Sequence, residues 1–202
     1  KIENLEKVIG RKIIKLERKD VESYKLIKEA KNTDIALLVY GSVFFSTTHI
    51  SLILDAKKSG VRTKIIYSAS VFDALAETGL RISKFGKITS MPTWERDYKP
   101  DFMQYVKENQ KIKAHSLILV DIGIKFEKAI EELEENAKKN KIKIDKIVVC
   151  SRLGTKESKI YYGEINKLIK QKQRIQAPFC FIIPSKLHFM EKEVLERVRG
   201  AR

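Results

Sequence analysis

Residues 36–87 read ALLVYGSVFFSTTHISLILDAKKSGVRTKIIYSASVFDALAETGLRISKFGK. With the two residues before it, the run DIALLVY (34–40) is continuously apolar between polar flanks, as in a central strand of a parallel sheet. A helix follows over 48–59 and stops at Gly60, which suits a left-handed C-terminal cap. TKIIYS (63–68) is the next strand, a helix runs over 70–77 towards Gly79, and GKITS (86–90) is a last short strand. This alternation predicts a parallel sheet with right-handed crossovers. In such sheets ligands sit beyond the carboxyl ends of the strands. Three loops end strands in this way, around 41–48, 68–71 and 90, and Ser42, Ser46, Thr47, Ser68 and Ser70 punctuate them. The same hydroxyls are ordinary helix caps, so residue types alone reach no further than an α/β ligand-binding protein. GSVFFSTTH is no phosphate loop, because it lacks the phosphate-touching lysine and the second glycine.

Upstream, residues 2–9 have helical apolar spacing, KIIKLE (12–17) reads as a strand, and Asp20 can cap a helix over 21–30. Downstream, MPTWERDYKP (91–100) holds two of the four prolines and the only tryptophan. A boundary there divides an N-terminal α/β domain, 1–94, from a C-terminal α/β domain, 95–202. The second domain reads as helix 101–111, strand SLILVD (116–121) and a long helix from Phe126 to Asn140. DKIVVCS and SKIYYG then form an antiparallel pair around Gly154. A helix over 164–172, the strand FCFIIP (179–184) and a helix from Phe189 close the chain.

The 202 residues carry 41 basic and 26 acidic side chains, a net charge of +15. Only 10 of the basic residues are arginines, and the lysines alternate with glutamates along helix faces. Nucleic-acid recognition leans on arginine forks and clustered patches, so a solvated lysine-rich surface is expected and a nucleic-acid partner is not. No apolar run reaches the roughly 18 residues of a membrane span. Cys150 and Cys180 each lie in an apolar strand-like run and are expected as buried free thiols in a reducing cytoplasm. His49, His115 and His188 lack metal-ligand spacing, so no metal site is expected. Nucleophile elbows and Cys–His pairs are also missing.

The order of short motifs resembles the diphthine synthase family. That family carries G-D-P-x-x-A-T-T-H, A-K-x-x-G, A-S-[IV], T-G-L and K-F-G-K. This chain has Gly41, Thr47-Thr48-His49, Ala56-Lys57 with Gly60, Ala69-Ser70-Val71, Thr78-Gly79-Leu80 and Lys84-Phe85-Gly86-Lys87. Further on, YKP, VKEN, HSLILVDI, SRLGT and IIPSKLHFMEKEVL are similar to the family's later motifs in the same order. The resemblance implies a tetrapyrrole-methylase-like α/β architecture, with two α/β domains and the cofactor cleft between them. It implies a cytoplasmic homodimer that uses S-adenosyl-L-methionine, releases S-adenosyl-L-homocysteine and methylates a modified histidine of translation elongation factor 2. By position, the family's cofactor contacts fall on Ser42, Phe45, Ser70, Val71, Val120, Leu153 and Phe179. Several of these would act through main-chain groups and apolar walls. No catalytic residue is assigned; His49 is a candidate proton acceptor.

The chain departs from the pattern in two places. The family begins with a strand ending in G-L-G, then a helix and a strand, and this segment is expected ahead of Lys1. The family's Asp-Pro is here Ser42-Val43. A hydrogen bond to a charged group contributes about 1.5–3 kcal/mol, roughly tenfold to a hundredfold in affinity, of which a neutral Ser42 hydrogen bond recovers part; weaker cofactor binding is expected, without loss of activity. Two other functions remain compatible with the fold: methylation of a tetrapyrrole precursor or ribosomal RNA, and a non-catalytic lysine-rich binding module. The TTH and KFGK signatures favour the elongation-factor enzyme.

Overall fold

The structure is a computed structural model that describes residues 2–45, 47–92 and 101–198. Two compact units emerge, Lys1–Ser70 and Val71–Arg202. The stretch 91–100, where the sequence places a boundary, lies mostly outside the described residues.

Among the described residues the first unit holds four helices, α1 (Ile2–Ile9), α2 (Arg18–Val21), α3 (Lys25–Ala30) and α4 (His49–Lys58). The helix expected over 21–30 is split. Glu17 takes the N-cap of α2 and Asp20 serves as its third residue, its carboxylate accepting from Glu17 N at 3.0 Å. The Ser23 hydroxyl donates to Asp20 O at 2.7 Å, a local bond that competes with helix propagation. α4 ends as expected, with Gly60 at φ 71°.

The three apolar runs expected as strands, 12–17, 34–40 and 63–68, form no ladder in this unit. A parallel strand is stable only where neighbours take up its N–H and C=O groups. None of these runs has such a neighbour among the described residues, and Ile14, Tyr40 and Ile66 stand 82, 78 and 76% exposed.

The second unit contains a five-stranded sheet, β1 (Thr89–Met91), β2 (Ser116–Val120), β3 (Ile147–Ser151), β4 (Lys159–Gly163) and β5 (Phe179–Ile183), in the order β1-β2-β5-β3-β4. β1 and β2 are parallel; β5 runs antiparallel to β2 and β3, and β4 antiparallel to β3. The antiparallel pair expected around Gly154 is therefore β3–β4. The central strands β3 and β5 are buried throughout, as continuous IVVC and FCFII runs require.

α5 (Val71–Ala74) continues as a 3-10 turn, Leu75–Thr78. α6 (Phe102–Lys111), α7 (Phe126–Lys139), α8 (Ile165–Leu168) and α9 (Phe189–Val198) complete the unit. Period-two alternation divides the core between the two sheet faces. Ile118, Val149 and Phe181 join Phe102, Met103, Val106, Ala129, Ile130 and Leu133 of α6 and α7. Leu117, Val148, Cys150, Cys180 and Ile182 join Leu75, Leu80 and Leu195 on the other face. Cys150 and Cys180 are free, buried and directly opposite each other across β3 and β5. Among the described residues no helix is long and apolar enough to cross a membrane.

Candidate active site

In the first unit the site residues lie on the 41–48 loop and at its last residue, Ser70. Ser42 and Phe45 are half-buried in a turn that Gly41 enters at φ 85°; Ser46 lies outside the described residues. The Thr47 hydroxyl and His49 Nδ1 both bond Val43 O, at 2.7 and 2.8 Å. A carbonyl can only accept, so Nδ1–H donates to it and Nε2 makes no part of this bond. The Thr48 hydroxyl does not cap α4 but donates to Glu22 at 2.9 Å, beside Arg18 Nε at 2.7 Å. Arg18 and then Thr48 hold the Glu22 carboxyl below its ordinary value.

In the second unit the sheet register brings Val120 and Phe179 to one end, with Leu153 two residues beyond β3. Met91 pairs with Val120 and Ser151 with Phe179, so β1, β2 and β3 finish where β5 begins. Val120 is half-buried against the core of α6 and α7. Phe179 is 8% exposed, and its ring packs against Phe126 and Phe181 at 5.7 and 5.6 Å, so a ligand here would meet its main chain. Val71 and Leu153 pack, half-buried, against the cluster on the opposite face.

A set of buried polar residues, unmarked as functional by their sequence positions, holds the opposite end of the sheet, where β2 begins and β5 finishes, in register. Asn109 Oδ1 accepts from Lys87 N at 2.8 Å, while its Nδ2 donates to Lys87 O and to Ser116 Oγ at 2.8 and 3.1 Å. The family-like motifs KFGK, VKEN and HSL therefore meet at one clamp. Ser185 N donates to His115 Nδ1 at 2.9 Å, which leaves Nε2 to donate to Glu191 at 3.2 Å. Glu191 also accepts from Arg81 N, His188 N and Lys84 Nζ at 3.0, 2.7 and 3.3 Å. Burial alone would raise the Glu191 carboxyl, but the main-chain donors and His115 outweigh it and hold the value at about 2. Burial pushes His115 below its ordinary value against the pull of Glu191. Thr78-Gly79-Leu80 is structural too. Gly79 turns at φ 71° with Val194 so near that an added Cβ would come within 2.5 Å of it. No cluster of three or more metal-ligating side chains occurs among the described residues.

The tetrapyrrole (corrin/porphyrin) methylase model matches residues 5–169. A diphthine synthase of Methanocaldococcus jannaschii is 42% identical over 96% of this chain and 81% of its own length. A diphthine synthase of Methanococcus aeolicus is 37% identical over 96% of this chain and 80% of its own length. A crystal structure of diphthine synthase superposes with a TM-score of 0.86 at 30% identity, covering all of this chain and 81% of that one. The chain is a methyltransferase of the tetrapyrrole (corrin/porphyrin) methylase family, similar along nearly its whole length to the diphthine synthases.

Proposed function

We propose that this methyltransferase transfers methyl groups from S-adenosylmethionine to the modified histidine of translation elongation factor 2 in diphthamide biosynthesis. The observation that carries the reading is 42% identity to a diphthine synthase across 96% of the chain. That span includes the ordered motif series from Gly41 to the LHFMEKEVL segment.

The residues present suit an adenosyl cofactor, which needs apolar walls and a few main-chain hydrogen bonds more than charged side chains. Val71, Val120 and Leu153 are apolar and half-buried, and Phe179 offers main chain. Ser42, Phe45 and Ser70 are proposed as cofactor contacts on the motif series alone. When bound, the cofactor supplies an electrophilic methyl group on a sulfonium sulfur. Holding donor and acceptor in line can account for roughly 7–11 kcal/mol of the barrier. The amine must arrive deprotonated, and His49 is the candidate to take its proton, through the ring nitrogen that does not bond Val43 O. A homodimer in the cytoplasm belongs to the same proposal.

Titration calorimetry of the full chain with S-adenosylhomocysteine tests the cofactor. Saturable one-to-one binding per chain is expected. Heat indistinguishable from dilution at millimolar ligand would remove the cofactor, and with it the reading.

A further inference from the structure

The turn that carries Leu153 is built from two sides. Arg152 N donates to Pro178 O at 2.8 Å, Arg152 Nε to Ala177 O at 3.1 Å, and Ser151 Oγ to Gln176 O at 2.6 Å. These bonds join it to the segment leading into Phe179. On the other side stands Glu77, in the 3-10 turn that continues α5. Its Oε2 accepts from Ser158 Oγ at 2.6 Å and its Oε1 from Gly154 N at 3.3 Å. A Cβ added at Gly154 would lie 3.6 Å from Ala74 Cβ, so the turn rests directly on α5.

Leu153 sits between two residues in left-handed backbone, Arg152 at φ 53° and Gly154 at φ 73°. For an arginine that conformation is uncommon and mildly strained, and bonds on both flanks keep the turn in place. Leu153 and Val71 pack on the same core cluster. Val71 opens the helical segment on which Glu77 stands, so the carboxylate fixes the spacing between the two.

We propose that Glu77 is a positioning residue: it holds the Leu153 turn against α5 and sets the width of the apolar cofactor wall between Val71 and Leu153. The inference rests on the cofactor reading above. Glu77 is itself exposed, and its own segment is anchored without it. Leu75 is buried, the Thr78 hydroxyl donates to Leu75 O at 2.6 Å, and Leu80 N donates to Thr78 Oγ1 at 3.2 Å. Removing the carboxylate therefore releases the turn on its α5 side, while the bonds to residues 176–178 and the core stay intact.

The test compares the wild-type full chain with Glu77→Ala, Glu77→Gln and Ser158→Ala. Three quantities are measured: S-adenosylhomocysteine affinity, thermal midpoint, and hydrogen exchange of the Gly154 amide without ligand. Glu77→Ala is expected to weaken affinity roughly tenfold, because both hydrogen bonds that tie the turn to the carboxylate are lost. It should speed exchange at Gly154 and leave the midpoint within a few degrees of wild type. Glu77→Gln keeps an acceptor for Gly154 N and should recover most of the affinity, and Ser158→Ala should fall between. Unchanged affinity in Glu77→Ala, with wild type binding normally, overturns the inference alone. So does an affinity loss matched by a collapsed midpoint and fast exchange throughout the sheet, which marks a purely structural residue. A wild type that does not bind overturns the cofactor reading together with the inference.

Discussion

A carboxylate that is 1% exposed stays ionised only where donors replace water, and Glu191 has four. Its value of about 2 lies below the ordinary 4.5. The stabilisation is therefore complete above about pH 4.5 and is lost as pH falls towards 2. The shift corresponds to about 3 kcal/mol. Buried, neutral His115 acts in the same direction at higher pH, because its depressed value lets the unfolded chain bind a proton first below about 6.5. Glu191→Gln separates the two. It should lower stability at pH 7 by about 2–3 kcal/mol and flatten the fall between pH 4.5 and 2, while the His115 contribution remains and, without the pull of Glu191, its value is held further below the ordinary one. Urea midpoints across this range measure it; a variant with an unchanged acid arm would show that Glu191 does not carry that linkage.

At the scale of elements, Gly86 shows what the KFGK motif requires. A Cβ there would fall 2.1 Å from Asn109 Oδ1 and 2.5 Å from Asn109 Cγ, against a side chain held by three hydrogen bonds. Gly86→Ala should cost about 2–3 kcal/mol, overpacking plus a displaced hydrogen bond. Chemical denaturation reads this directly, and Asn109→Ala in the same background should make the added loss much smaller than in wild type. Elements of the second unit were legible because IVVC, SLILV and FCFII are apolar runs that find neighbours to pair with. DIALLVY and TKIIYS carry the same pattern, but pattern specifies which face is apolar and cannot supply a hydrogen-bonding partner. The split of α2 from α3 escaped for a local reason, the Ser23 hydroxyl turning back onto Asp20. Of the candidate site, Val71, Val120, Leu153 and Phe179 could be placed at strand ends and loops from the motif order. The polar residues that brace the unit could not be. Glu77 meets Gly154 across 77 positions and Glu191 meets His115 across 76, separations over which no local spacing rule operates.

For the whole molecule, the motifs most useful for recognition turn out to divide their work. Gly41 to His49 shape the loop of the first unit around Val43 O, whereas KFGK, VKEN, HSL and LHFMEKE knit the second unit together. The charge of +15 adds long-range attraction for an acidic partner. The most direct measurement is methyl transfer from S-adenosylmethionine to purified elongation factor 2 bearing the unmethylated modified histidine, followed by mass spectrometry of the histidine-containing peptide. Methyl-mass increments confined to that histidine and dependent on this chain are the predicted result. An unmodified peptide, from a chain that binds S-adenosylhomocysteine and is incubated with competent acceptor, would contradict the proposed substrate.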